Sequence, residues 1–137
     1  MSAPLEPHGS GPESALALLN LAARVGHLVD PTVPASPAAS LEFGEFSRVD
    51  WHQPGRQHAR VGRVAVTRLT EVSDGIGGPV ELFSGFDAVV LGLPPGQHVS
   101  LSWNGGLSLT VQVTAPAALK EAVAALVPGA QLRFTPC

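Results

Sequence analysis

One cysteine, one methionine, one lysine (Lys120) and no tyrosine occur among the 137 residues, and only 14% of the chain is charged. A lone cysteine, Cys137, excludes a disulfide scaffold and a cysteine-based zinc module, and as the terminal residue it belongs to no prenylation box. Long apolar runs are also missing. The stretch from Ala15 to Val29 is interrupted by Asn20, Arg24 and His27, too short and too broken to span a bilayer. Only Glu6 and Glu13 precede it, with no basic residue, so neither a membrane span nor a secretory leader is expected and the chain reads as soluble and cytoplasmic.

What is present is enough to fold. Hydrophobic residues make up 45%, and Leu, Ile, Val and Phe number 39, above the level at which a sequence fails to build a core. A chain of this length buries roughly 68–70% of its unfolded surface and fits one domain. Residues 1–12, with Pro4, Pro7, Gly9, Gly11 and Pro12, read as a flexible lead-in, and residues 13–137 as a single domain. Pro31, Pro34 and Pro37 mark Asp30 to Ser40 as an extended connector that joins no sheet or helix.

The periodicity predicts an α+β fold, a mostly antiparallel sheet of hairpins with an N-terminal helix and a C-terminal helix followed by a last short strand. Ser10 and Glu13 have capping-box spacing, with Pro12 where a missing N–H costs little. Leu16, Leu19, Ala23 and Leu28 keep helical spacing, while Asn20, Arg24 and His27 form one narrow polar stripe. This helix should therefore lie under a sheet with only the stripe wet. Strands are expected at Leu41 to Phe43 and along Arg60 to Val72, with Gly62 a bulge and the second run central and covered on both sides. Ser73 to Pro79 reads as a turn. Val80 to Leu93 reads as two strands broken at Ser84-Gly85, with a short helix over Val80 to Phe86 as the alternative.

After Pro94-Pro95-Gly96, Val99, Leu101 and Trp103 alternate with polar residues, as do Leu107, Leu109, Val111 and Val113. A three-residue loop, Asn104-Gly105-Gly106, keeps the apolar residues on one face by setting Trp103 against Leu107 and Leu101 against Leu109. A helix then opens at Pro116, with Leu119, Ala122, Val123 and Leu126 inward, and stops at Pro128-Gly129 before a strand over Gln131 to Thr135.

Charge is distributed unevenly. Residues 48–68 hold Arg48, Arg56, Arg60, Arg63 and Arg68 against Asp50 alone, whereas both flanking stretches are net acidic and the whole chain is −3. Trp51, His52 and His58 lie within that stretch. Guanidinium groups clamp phosphate or carboxylate, and an indole can stack on a base, so Trp51, His52, Arg56, His58, Arg60 and Arg63 are the candidate ligand-binding residues for an anionic ligand or nucleic acid. The competing interpretation is a solvated strand whose arginines pair with acids elsewhere. The acidic balance of the whole chain favours that interpretation over a nucleic-acid domain.

No metal site is expected, because His52 and His58 lack any accompanying ligand motif, and no cofactor is implied. The glycines at 75–78 fit neither a phosphate loop nor a dinucleotide fingerprint, and Ser84 lacks a nucleophile elbow. A small hydrolase or lyase would draw on His52, His58 and Asp50, without a converging third group. The residues together predict a non-catalytic ligand- or protein-binding module. Low charge and leftover apolar residues (Phe43, Phe46, Ala124, Ala125) point to a homodimer.

Overall fold

The computed structural model describes residues 12–40, 56–104 and 108–137. Ser10 of the capping box, most of the lead-in, the strand expected at Leu41 to Phe43, Phe46, Arg48, Asp50, Trp51, His52 and the loop residues Gly105 to Leu107 lie outside them. The architecture is α+β. Helix α1 (Pro12–Val29) is followed by strands β1 (Arg56–Val61), β2 (Val64–Gly75), β3 (Gly78–Val90), β4 (His98–Trp103) and β5 (Leu109–Ala115). A 3-10 turn at Ala117–Leu119, helix α2 (Lys120–Leu126) and β6 (Gln131–Pro136) complete it. The strands form one sheet in chain order, antiparallel from β1 to β5, with β6 parallel to β5. The parallel pair follows from the helix between them, which carries the chain back to the end of the sheet where β5 began.

Helix α1 lies across β2, β3 and β4 and touches α2. Its apolar circumference is as wide as the sequence implies: Leu18, Leu19, Leu21, Ala22 and Val25 are all buried. Burying each Leu or Val contributes about 1.5–3 kcal/mol. Part of the polar stripe is covered because residues 30–40 fold back along the helix without forming helix or strand. Asn20 Nδ2 donates to the Ala38 carbonyl at 3.0 Å, His27 Nδ1 lies 2.7 Å from the Val33 carbonyl, and Val33 is fully buried. At Gly26 the helix packs closely on the sheet. A Cβ there would meet both Val90 methyls at 3.1 Å.

Several local expectations need correction. The run from Arg60 to Val72 is two strands, since Gly62-Arg63 is a two-residue turn closed by Val61 opposite Val64. Gly62 has φ +57° and, among the described residues, no non-glycine residue has positive φ, the pattern of a type II′ hairpin turn rather than a bulge. The turn at Ser73 to Pro79 shrinks to Ile76-Gly77, with Gly75 paired to Gly78. Val80 to Val90 belongs to one continuous strand, neither helical nor broken. The discontinuity at Ser84-Gly85 is a bulge: Leu69 faces Gly85 and Thr70 faces Phe83, leaving Ser84 as the extra residue. Strand β2 is covered by α1 on one side, but among the described residues no element covers the other, and Ala65 and Leu69 are half-buried there.

The β4–β5 hairpin has the expected faces and a different register. Trp103 pairs with Leu109, Leu101 with Val111 and Val99 with Val113, so five residues separate the strands instead of three. A slip of two residues preserves the alternation of faces, so the hydrophobic pattern could not distinguish these pairings. Trp103 is buried and stacks on Phe86, its partner across β3, with ring centroids 6.0 Å apart. In α2 the inward residue is Val123, with Leu119 and Leu126 half-buried; Ala122 is exposed, contrary to expectation.

Candidate functional site

Strand alternation divides the sheet into two chemically different sides. Facing α1 are Ala59, Val66, Ala88, Leu101 and Val111, adjacent across five strands and all buried. On the opposite side, one cross-strand row runs Arg60, Ala65, Val89, Ser100, Gln112, Arg133, and the next runs His58, Thr67, Asp87, Ser102, Thr110, Gln131. This outer side carries small and polar side chains, with no aromatic residue in either row. A half-open depression of about 300 Å³ lies over Ala65, Thr67, Val89 and Ser100, and another of about 260 Å³ over Thr110, Gln112 and Arg133.

Three hydroxyls of the outer side are already paired. Ser102 donates to Asp87 at 2.8 Å, His58 Nδ1 lies 3.0 Å from the Thr67 hydroxyl, and His98 Nε2 lies 2.9 Å from the Ser100 hydroxyl. The His98–Ser100 contact has the distance of a base and nucleophile. Yet both groups are on an open strand surface whose backbone amides serve the sheet ladder, and among the described residues no carboxylate is hydrogen-bonded to His98. Nothing there orients the imidazole or stabilises an oxyanion. Among the described residues, no group of three or more His, Cys, Asp or Glu could hold a metal ion, and no helix is long and apolar enough to cross a membrane.

Among the described residues of the basic stretch, His58 and Arg60 share the outer side of β1, Arg63 sits in the β1–β2 turn and Arg68 falls on the α1 side. Of the six candidate residues, Trp51 and His52 are outside the described residues, and Arg56 opens β1 opposite Leu69. His58 and Arg60 are exposed on the outer side, where the Arg60 Nε–H donates to the Gly62 carbonyl. Arg68, half-buried, falls on the α1 side by strand alternation.

Arg63 instead holds three connections together. Its Nη2 is 3.0 Å from the Asp30 carboxylate and also donates to the Gly92 carbonyl. Its Nη1 donates to the Thr32 hydroxyl at 2.6 Å and its Nε to the Leu91 carbonyl at 2.9 Å. These bonds tie the β1–β2 turn to the exit of α1 and to the loop after β3, a use of all faces of the guanidinium fork that lysine cannot reproduce. Asp30 accepts the hydroxyl and amide of Thr32 as well. Those bonds, with Arg63 beside them, hold its carboxyl below the ordinary carboxylate value.

Two features escaped the sequence analysis. The first is the outer side of the sheet as a surface, since its residues come from six strands. The second is an arm: among the described residues, β2 and β3 continue past the ends of β1 and β4 as a ribbon over residues 70–83. On it Ile76 is fully exposed, and Val80 and Leu82 are 45% and 52% exposed. The β-branched and apolar residues flanking the turn were the available signal. The chain matches no family model, and no curated protein and no solved structure matches it either.

Proposed function

We propose that this domain is a non-catalytic protein-binding module whose working surface is the side of the sheet facing away from α1. The observation that carries this reading is the asymmetry of the sheet: one side is packed under α1, while the other, which no described element covers, spans about 24 Å across six strands at ~4.8 Å spacing and joins an arm bearing exposed Ile76, Val80 and Leu82. Enclosed small-molecule sites are concave and mostly apolar or aromatic. The two depressions here are half-open and lined chiefly by Ser, Thr, Gln and Ala, which suits a broad macromolecular contact.

The test places a photo-crosslinking amino acid at Ser100, on the open side, and separately at Ala125, on the exposed side of α2. Discrete polypeptide adducts from position 100 and none from position 125 are expected. Equal or absent labelling at position 100 refutes the reading. A second reading, an anionic ligand or nucleic acid, has support from Arg60 and Arg133, which stand at the two ends of one cross-strand row. Binding of that kind weakens steeply with salt and falls on Arg60→Glu; salt-independent or absent binding to oligonucleotides removes it.

A further inference from the structure

We infer that the partner on this surface presents an acidic peptide segment, whose carboxylate is anchored over β5 and β6 by Arg133 together with Gln112 and Thr110. This inference rests on the binding-module reading and names the group that the surface recognises. The parallel pairing of β5 with β6 brings the three side chains together. Gln112 and Arg133 are direct cross-strand partners, and Thr110, two residues before Gln112 on β5, shares their side. With Ser100 and Ser102 of β4 they line the depression of about 260 Å³.

Hydrogen bonding divides that lining into two parts. Ser102 gives its proton to Asp87, and the Ser100 hydroxyl is matched with His98. The side chains of Thr110, Gln112 and Arg133, by contrast, have no hydrogen-bond or ion-pair partner among the described residues. Charge then selects the ligand. Strands β4, β5 and β6 carry Arg133 and no acidic residue. Asp87 lies on β3, three strand spacings or about 14 Å from β6, beyond the reach of the Arg133 side chain. A guanidinium takes a carboxylate through two parallel N–H···O bonds, and the Gln112 amide and Thr110 hydroxyl add donors for its remaining lone pairs. A nucleic-acid strand fits less well. Its phosphates would have to run beside Asp87 to join Arg133 with Arg60 at the far end of the row, and neither row offers an aromatic ring on which a base could stack. A positive site confined to one end of the sheet suits a peptide bearing one or two acids better than a polyanion.

The experiment titrates the isotopically labelled chain by nuclear magnetic resonance with a capped Gly-Glu-Gly-Glu-Gly peptide and with its twin carrying Gln for both Glu. The acidic peptide should shift the backbone amides of residues 110–112 and 131–133 and saturate in the millimolar range, because exposed ion pairs are weak. The neutral twin should bind about fivefold more weakly. Arg133→Met should weaken the acidic peptide by about fivefold as well, and Arg133→Lys should recover only part of that loss because the fork is gone. Arg60→Met, more than a Debye length away, should change it by less than about twofold. Arg60 and Arg133 are both exposed, and the spectrum itself reports that each variant is folded. Equal binding of the two peptides, shifts confined to other strands, no shifts, or an Arg133→Met variant that binds like the wild type overturns the inference. An octathymidylate that binds more tightly than the acidic peptide and loses affinity on both Arg60→Met and Arg133→Met overturns it in favour of nucleic acid. Crosslinking at position 100 separates this inference from the reading beneath it: adducts that persist undiminished in Arg133→Met sink the carboxylate anchor alone, whereas a wild type without adducts sinks the binding-module reading as well.

Discussion

Replacing Gly85 by alanine separates two costs that the bulge in β3 imposes together. Gly85 has φ +152°, a conformation that L side chains rarely adopt. An added Cβ would overlap the Trp103 carbonyl oxygen and stand 3.0 Å from Asn104 Cα, both backbone atoms of β4 and its exit that cannot move aside cheaply. Backbone strain of this kind costs about 1–3 kcal/mol and overpacking about 1–3 kcal/mol more, so Gly85→Ala should lose about 2–6 kcal/mol, centred near about 4 kcal/mol. Three other glycines serve as controls. Gly62 has φ +57° but open space around its Cβ position, so Gly62→Ala should cost about 1–2 kcal/mol from strain alone. Gly26 has normal φ and the two Val90 methyls at 3.1 Å, so the helix-propensity gain of about 1 kcal/mol offsets the crowding and the change should be near neutral. Gly77 has neither restriction, and Gly77→Ala should be neutral or stabilising by up to about 1 kcal/mol.

Urea unfolding followed by tryptophan fluorescence reads the series. The midpoint should shift with the slope unchanged, and melting temperature should fall by roughly 10–20 °C for Gly85→Ala. If Gly85→Ala falls within about 1 kcal/mol of Gly62→Ala, the backbone overlap it adds to strain is absent and the assignment of Ser84-Gly85 as a tight bulge against β4 is wrong.

Two further predictions concern the fold. Because the folded-state pKa of Asp30 lies below its unfolded value of 3.8, folding releases a proton there. Its contribution is present above that pH and is lost as pH falls through the lower folded value. Urea midpoints measured across the acid range should fall less steeply for Asp30→Asn than for the wild type below about pH 4, and Arg63→Met should reduce the same slope; parallel curves count against the Arg63 cluster. The hairpin register is checked in a Cys137→Ser background. Cysteines at Ser102 and Thr110, which face each other, should oxidise to a disulfide, whereas cysteines at Ser102 and Ser108, the pair a three-residue loop would create, should not; the reverse result restores the shorter loop.

The apolar circumference of α1, the alternation of Val99, Leu101 and Trp103, and the helix between Pro116 and Pro128 were all legible in sequence because each depends on neighbours within a few residues. Side-chain period also fixed which hairpin residues share a face. Strand pairing over a distance was not legible. A two-residue slip leaves the period intact, which is why Trp103 meets Leu109 instead of Leu107. The glycine at 62 and the pair at Ser84-Gly85 were visible as irregularities, but whether each makes a turn or a bulge depended on the strand opposite.

The candidate surface was the least legible part. Its rows are assembled from β1 to β6, and no local pattern records which strands will be neighbours. Arg63 shows the same limit: in sequence it was one of five clustered arginines, yet its donors reach Asp30, Thr32, Leu91 and Gly92, which lie roughly thirty positions away on either side. Composition and periodicity thus determined that the chain folds as α+β and most of the residues that enter its core. Burial of a face needs only the local pattern, whereas the meeting of charges and the openness of the outer side depend on chain-distant neighbours, and the tertiary structure alone decided those.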